Sequence, residues 1–152
     1  MSLAYIRPLA IDDYDQWRKL YQGYANFNQV GFIKGGLLTK WSWLIDAGHV
    51  CIGLVAEKQG QLVRLAHFCR TQSPLRWHMF GFLDDLFVVF YHRSGGAAAA
   101  LIKAVQAEAK AQGWGVVRWI TRDHNYRARG LYDKLAKKTD WLLNEMIKMG
   151  AK

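Results

Sequence analysis

DDLFVVFYHRSGGAAAA, residues 84–100, joins an apolar strand to an alanine-rich helix through Arg93-Ser94-Gly95-Gly96. Backbone N–H groups at a helix start point outward, and the helix dipole favours negative charge there. Glycines leave those groups uncovered, and Arg93 adds a full positive charge just before the turn. The stretch reads as an anion cradle fit for a phosphate. The competing reading is a tight turn before a closely packed helix. Two phosphate motifs do not fit it. A P-loop needs Gly-Lys-Ser/Thr where alanines stand here. A dinucleotide fingerprint needs G-x-G-x-x-G opening the first βα unit, with an acidic residue closing the next strand.

Upstream of the cradle, Gly81 to Phe90 is apolar on both faces, as a central strand must be. Val50–Glu57 and Leu62–Arg70 alternate as strands around Gln59-Gly60, a hairpin signal. Thr71 to Trp77, marked by Ser73-Pro74, reads as a loop. Ile11, Tyr14, Trp17, Leu20, Tyr21 and Tyr24 fall on one helical stripe. Leu37–Asp46 is a second helix, with Asn26–Gly36 a loop between, and Trp41 and Trp43 are expected to pack on the core. Tyr5–Leu9 is a short strand that Pro8 confines to an edge or an end.

Downstream, Ala98, Leu101, Ile102, Val105 and Ala109 form the buried stripe of a helix that Gly113 ends. Val116–Thr121 is a strand. Asn125 to about Lys138 is a helix, with Asp123 or His124 near its cap. Trp141–Lys148 reads as a final strand, with a helix as the alternative. Antiparallel strands come first and a βαβ-like unit follows. The fold class is therefore α/β, with a mixed, mostly antiparallel sheet flanked by helices.

The 152 residues fit a single domain, and 51% hydrophobic content argues against disorder. No apolar run reaches spanning length and the N-terminus lacks a leader-like core, so a cytoplasmic protein is expected. Cys51 and Cys69 fit no metal spacing. They could face each other across the Gly60 hairpin, and in a reducing compartment they read as buried thiols. The net charge of +9 admits nucleic acid, an anionic surface or a polyanionic cofactor as partner. The basic residues are scattered, which speaks against a nucleic-acid groove. The histidines show no metal spacing, and no metal is expected.

A second constellation lies in WITRDHNYRARGLY, residues 119–132. Asn125, Ala128 or Arg129, and Tyr132 share one helical face across about two turns. Together with the cradle, this resembles the GNAT superfamily of N-acetyltransferases. Arg93-Ser-Gly-Gly-Ala-Ala98 stands for its R/Q-x-x-G-x-G/A loop, and Asn125, Ala128, Leu131 and Tyr132 for its Asn-x-x-Ala-x-x-Leu-Tyr helix. Leu83 to Val88, LDDLFV, resembles the fourth strand of the diamine, polyamine and histone acetyltransferase branch. Ser94 departs from the usual glycine, and Phe90-Tyr91-His92 from a usually polar approach.

The resemblance implies a splayed strand pair holding acetyl-CoA as co-substrate. Leu86, Phe87 and Val88 would bond the pantetheine arm through their backbone. Arg93, Ser94, Gly95, Gly96, Ala97 and Ala98 would hold the pyrophosphate. Asn125 would bond the pantetheine or pyrophosphate region, and Arg129 either the cofactor's phosphate end or solvent alone. Tyr132 would act as general acid toward the CoA thiolate. Asp84 or Asp85 would be the base for an amine acceptor. Strand alternation lets only one of them face it, and Asp84 is favoured. The implied reaction is direct acetyl transfer to a small diamine, a polyamine or a protein lysine. A non-catalytic acyl-CoA-binding module would need neither Tyr132 nor a base, and a basic nucleic-acid binder would need no cradle. A homodimer is implied by the resemblance alone.

Overall fold

The computed structural model describes residues 4–27, 36–88 and 96–147. Packing divides the chain into two compact units, Met1–Ile120 and Thr121–Lys152.

The first unit holds β1 (Tyr5–Pro8), α1 (Tyr14–Phe27), α2 (Gly36–Ile45), β2 (Cys51–Lys58), β3 (Gln61–Ser73), β4 (His78–Val88), α3 (Ala97–Ala111) and β5 (Val117–Arg118). The strands form one sheet in sequence order, β1 to β5. Every pair is antiparallel except β4 with β5. Helix α3 is the crossover that a parallel pair requires. The β2–β3 hairpin turns at Gln59 and Gly60, whose φ angles of 51° and 76° are those of the primed turns that match strand twist.

His67 contacts Trp17 of α1, while the next residue, Phe68, meets Trp114 just after α3 edge-on at 6.1 Å. Side chains alternate along a strand, so α1 and α3 lie on opposite faces of the sheet. On the α1 face the core gathers Trp17, Leu20, Leu44, Cys51, Val55, Leu62 and Leu65. On the other, α3 buries Leu101, Ile102, Val105 and Ala109, the stripe read from the sequence. Each large side chain of this kind contributes about 1.5–3 kcal/mol by leaving water. Helix α3 ends in paired bonds, Gly113 N–H to Lys110 O and Trp114 N–H to Ala109 O, with Gly113 at φ 77°.

Three sequence expectations shift, while the two cysteines face each other as thiols, as read. Thr71–Trp77 is not a loop throughout: β3 runs to Ser73 and pairs with His78, leaving only Pro74–Trp77 as the turn. Polar residues there alternate across a ladder that projects beyond the core. Ile11–Asp13 is a 3-10 turn ahead of α1, and Asp13 is held by a two-point ion pair with Arg7 at 2.7 and 2.8 Å. Trp41 packs against the core as expected, but Trp43 is part-exposed and stacks on His49. Cys51 and Cys69 are ladder partners with their Sγ atoms 2.8 Å apart, both free thiols.

The second unit holds α4 (Tyr126–Leu135). Its cap is Asn125, whose Oδ1 accepts from Ala128 N–H, rather than Asp123 or His124. The expected final strand is absent from the described residues 141–147. Trp141, Leu142, Leu143, Met146 and Ile147 are exposed there, and a strand exists only where a neighbour pairs its backbone.

Candidate active site

The β3–β4 register jumps at one point. His67 lies opposite Asp85 and Phe68 opposite Leu83, so Asp84 is the extra residue of a bulge. A bulge breaks strict alternation and re-aims the side chains beside it. The strict alternation expected of Asp84 and Asp85 is therefore interrupted at this point. Both carboxylates act electrostatically on Tyr21 and Tyr24 of α1 and on Lys40 of α2. Asp84 is exposed, and its backbone oxygen accepts from Tyr24 Oη at 3.4 Å.

Asp85 is buried, and its Oδ2 meets two partners. His67 Nδ1 lies 2.8 Å and Lys40 Nζ 3.1 Å from its Oδ2. Trp17 Nε1 in turn lies 2.9 Å from His67 Nε2. An indole N–H can only donate, so Nε2 accepts. The remaining proton sits on Nδ1 and donates to Asp85. His67 is thus a neutral imidazole in one fixed tautomer. Burial pulls its pKa down and outweighs the pull of Asp85 the other way. Burial pushes the Asp85 carboxyl up, but the His67 bond and Lys40 outweigh it and hold its pKa below the ordinary value. Lys40 is likewise destabilised by burial and more than restored by Asp85, so it stays an ammonium. The chain Trp17–His67–Asp85–Lys40 links α1, β3, β4 and α2.

Above it stands an aromatic wall. Trp17 stacks on Tyr21 at 5.3 Å, Tyr21 on Tyr24 at 5.9 Å, and Tyr24 meets Phe87 edge-on. Burial, then Asp85, raises both tyrosine pKa values, so both remain phenols at neutral pH. Burial, then Cys51 and Asp84, likewise raises the Cys69 thiol. The sequence marked Trp17, Tyr21 and Tyr24 as core stripe only. It gave no signal for His67 or Lys40, because their partners come from other elements.

On the other flank, the β4–β5 ladder is confined to Gly81/Val117 and Phe82/Arg118, while β4 continues to Val88. Leu86 and Phe87 are half-buried and Val88 buried. Gly96 caps α3 in the left-handed region, φ 75°, which favours glycine. Ala97 is buried and Ala98 half-buried behind it. Arg93, Ser94 and Gly95 lie outside the described residues. In the second unit, Asn125 is the α4 cap and Arg129 donates to Asp123 O and Oδ1. Tyr132 is half-buried, and burial raises its pKa. Among the described residues, no three His, Cys, Asp or Glu side chains group to hold a metal ion. No helix among them is long and apolar enough to cross a membrane.

Among the described residues, helix α3, capped by Gly96, joins the parallel pair β4 and β5, and β4 carries two adjacent carboxylates. The chain belongs to the acetyltransferase (GNAT) family, whose model matches residues 14–136. It is 28% identical to the D-amino-acid N-acetyltransferase HPA3 of Saccharomyces cerevisiae over 91% of this chain and 87% of that protein. It is 28% identical to the uncharacterized N-acetyltransferase YhfO of Bacillus subtilis over 86% of this chain and 80% of that one. The aminoglycoside N-acetyltransferase AAC(6')-Iy, solved in complex with CoA, superposes with a TM-score of 0.82 at 20% identity, covering 97% of each chain. That likeness shows the fold. The protein is an acyltransferase with the mixed α/β fold of this family.

Proposed function

We propose that the protein transfers the acetyl group of acetyl-CoA directly to a primary amine. The observation that carries this reading is the carboxylate pair at the β4 bulge, set under a tyrosine wall in a member of an acetyltransferase family. Leu83–Val88 points to diamines, polyamines or protein lysines. The similar yeast protein is named for D-amino acids and the similar solved structure for aminoglycosides. An amine is what these acceptors share. The family match crosses both packing units, which supports a single transferase domain. A cytoplasmic location and a homodimer are part of the same proposal, the homodimer by resemblance alone.

In this reading the amine nitrogen attacks the thioester carbonyl carbon and the C–S bond breaks. The amine must first lose a proton, since a lysine-like ammonium has a pKa of about 10.4. Asp84 is the carboxylate left to receive or relay it, because Asp85 is held by His67 and Lys40. The backbone of Leu86, Phe87 and Val88, beyond the last β5 contact, is the rail for the pantetheine arm. The amide groups from Gly96 to Ala98 are the proposed pyrophosphate cradle; the resemblance adds Arg93, Ser94 and Gly95 to it and separately assigns Asn125 and Arg129 to the cofactor.

Tyr132 is the proposed partner of the CoA thiolate. An ordinary phenol's pKa, about 10, already lies above a thiol's, about 8.5, and burial raises that of Tyr132 further, so full proton transfer is uphill. Tyr132 therefore acts chiefly as a hydrogen-bond donor that stabilises the leaving thiolate.

The test is thiol release from acetyl-CoA across a panel of diamines, polyamines, amino acids and a lysine peptide. Acceptor-dependent release with a product 42 Da heavier than its amine is expected. Binding of acetyl-CoA with no turnover on any amine would instead define a non-catalytic binder.

A further inference from the structure

Lys40 is not part of the family motifs, yet its ammonium lies at the centre of the proposed acceptor site. Its side chain is 18% exposed, and its partner Asp85 is 11% exposed. The ammonium sits 3.1 Å from Asp85 Oδ2 and 5.8 Å from the Tyr21 ring centroid. A lysine ammonium has three N–H donors. Among the described residues, Asp85 is the hydrogen-bond acceptor that takes one. In the proposal that follows, another of them meets an oxygen brought by a ligand. Exposed Asp84 adds a second charge of opposite sign within electrostatic reach of Lys40.

The three charges differ in their commitments. Asp85 is neutralised by Lys40 and hydrogen-bonded by His67, so it attracts an incoming amine weakly. Asp84 is the carboxylate open to an ammonium. Lys40 is paired with Asp85, and what it offers an incoming oxygen is its further N–H donors. An acceptor with a carboxylate beside its amine meets both complements at once. A diamine in the same place sets its second ammonium against Lys40. Like charges at such range in a half-buried site repel strongly enough to change affinity tenfold or more.

We propose that Lys40 determines acceptor choice: it recognises a carboxylate next to the acetylated amine and disfavours dications, so the substrate class is an amino-acid-like zwitterion. This rests on the acetyl-transfer reading above and narrows it. Arginine at position 40 keeps the charge and the donors, whereas methionine keeps the stem and removes both.

The test compares three small acceptors matched in size: an α-amino acid, its amide, and a diamine. Each is assayed at saturating acetyl-CoA with wild type, Lys40→Met and Lys40→Arg. For wild type, kcat/KM should be highest for the amino acid. Lys40→Met should raise KM for the amino acid at least tenfold, with a smaller change in kcat. It should leave or lower KM for the diamine, and Lys40→Arg should restore the preference. Because Lys40→Met strands the Asp85 charge, the double variant Lys40→Met/Asp85→Asn is measured beside it, with acetyl-CoA affinity and melting temperature as checks on folding. A variant that melts with wild type but keeps the wild-type ratio between amino acid and diamine overturns the inference. So does a wild type that prefers the diamine. No turnover by wild type on any of the three while a polyamine or a lysine peptide is acetylated overturns this inference alone; no turnover on any amine, with acetyl-CoA still bound, overturns the acetyl-transfer reading with it.

Discussion

Replacing Trp17 by Phe removes the indole donor that fixes the buried polar chain. Trp17 is fully buried, and its Nε1–H is the donor to His67 Nε2. The phenyl ring cannot donate, so a buried imidazole nitrogen loses its partner. Leaving such a group unsatisfied costs about 1–3 kcal/mol, and the smaller ring adds a packing loss. The two contributions separate by pH. In the wild type the His67 pKa is depressed by burial. A histidine with a lowered folded pKa takes its proton first in the unfolded chain. Its contribution is therefore complete above about pH 6.5 and is lost as the pH falls toward the folded value, at up to about 1.4 kcal/mol per pH unit. In Trp17→Phe the freed Nε2 binds a proton more readily, beside the Asp85 carboxylate. Its folded pKa rises and the acid loss flattens. The stability gap between wild type and variant should thus narrow by up to about 1.4 kcal/mol between pH 6.5 and 5.5. A packing loss alone would not depend on pH. Urea unfolding followed by far-UV circular dichroism at pH 7.5, 6.5 and 5.5 measures it, with equal m-values as the condition for comparison. A gap below about 0.5 kcal/mol at pH 7.5, or one that stays constant with pH, would refute the fixed-tautomer chain.

Tyr132→Phe should slow turnover roughly ten- to a hundredfold, the 1.5–3 kcal/mol of a hydrogen bond to a charged group, while acetyl-CoA affinity by calorimetry stays put. Equal turnover would remove Tyr132 from the chemistry. Asp84→Asn should lower kcat by about a hundredfold, the scale of general-base catalysis. An unchanged pH–rate profile would hand the proton to water instead. Gly81→Ala would place a Cβ 2.9 Å from Trp114 Cε3, where β4 meets β5. Overpacking of that kind costs about 1–3 kcal/mol, or about 2–4 °C of melting temperature per kcal/mol. A melting temperature equal to wild type would show that the indole gives way freely.

What the sequence made legible was whatever depends on local chemistry. Gln59-Gly60 specified its turn, the Leu101–Ala109 stripe specified α3, and Gly113 specified its end. Asn125 and Tyr132 were readable because their spacing is set by one helix. The bulge at Asp84 was not readable. Two adjacent aspartates look alike as letters, and the extra residue is defined only by what β3 sets opposite it. The same holds for Trp17, His67 and Lys40. Each belongs to an ordinary stripe or strand, and only the tertiary fold aligns them on Asp85. The missing final strand has a related cause. Trp141-Leu-Leu has strand-like hydrophobicity, but a strand is a property of a pair, and the sequence names no partner for it.

The bulge and the buried chain work as one device. Placed by simple alternation, two neighbouring aspartates would divide between the faces of the sheet. The bulge lets both act on the α1 and α2 side chains, and the chain then sets them apart in role. Asp85 carries the His67 bond and the Lys40 charge, while Asp84 is exposed. This division also reconciles the site with a protein whose net charge is +9. At physiological salt a charge is screened within about 8 Å, so an acceptor inside the site responds to Asp84, Asp85 and Lys40 more than to the distant surface. A polyanionic donor approaching from solution experiences that surface first. In the proposed reaction, the basic exterior would thus address the polyanionic donor and the locally paired interior the zwitterionic acceptor.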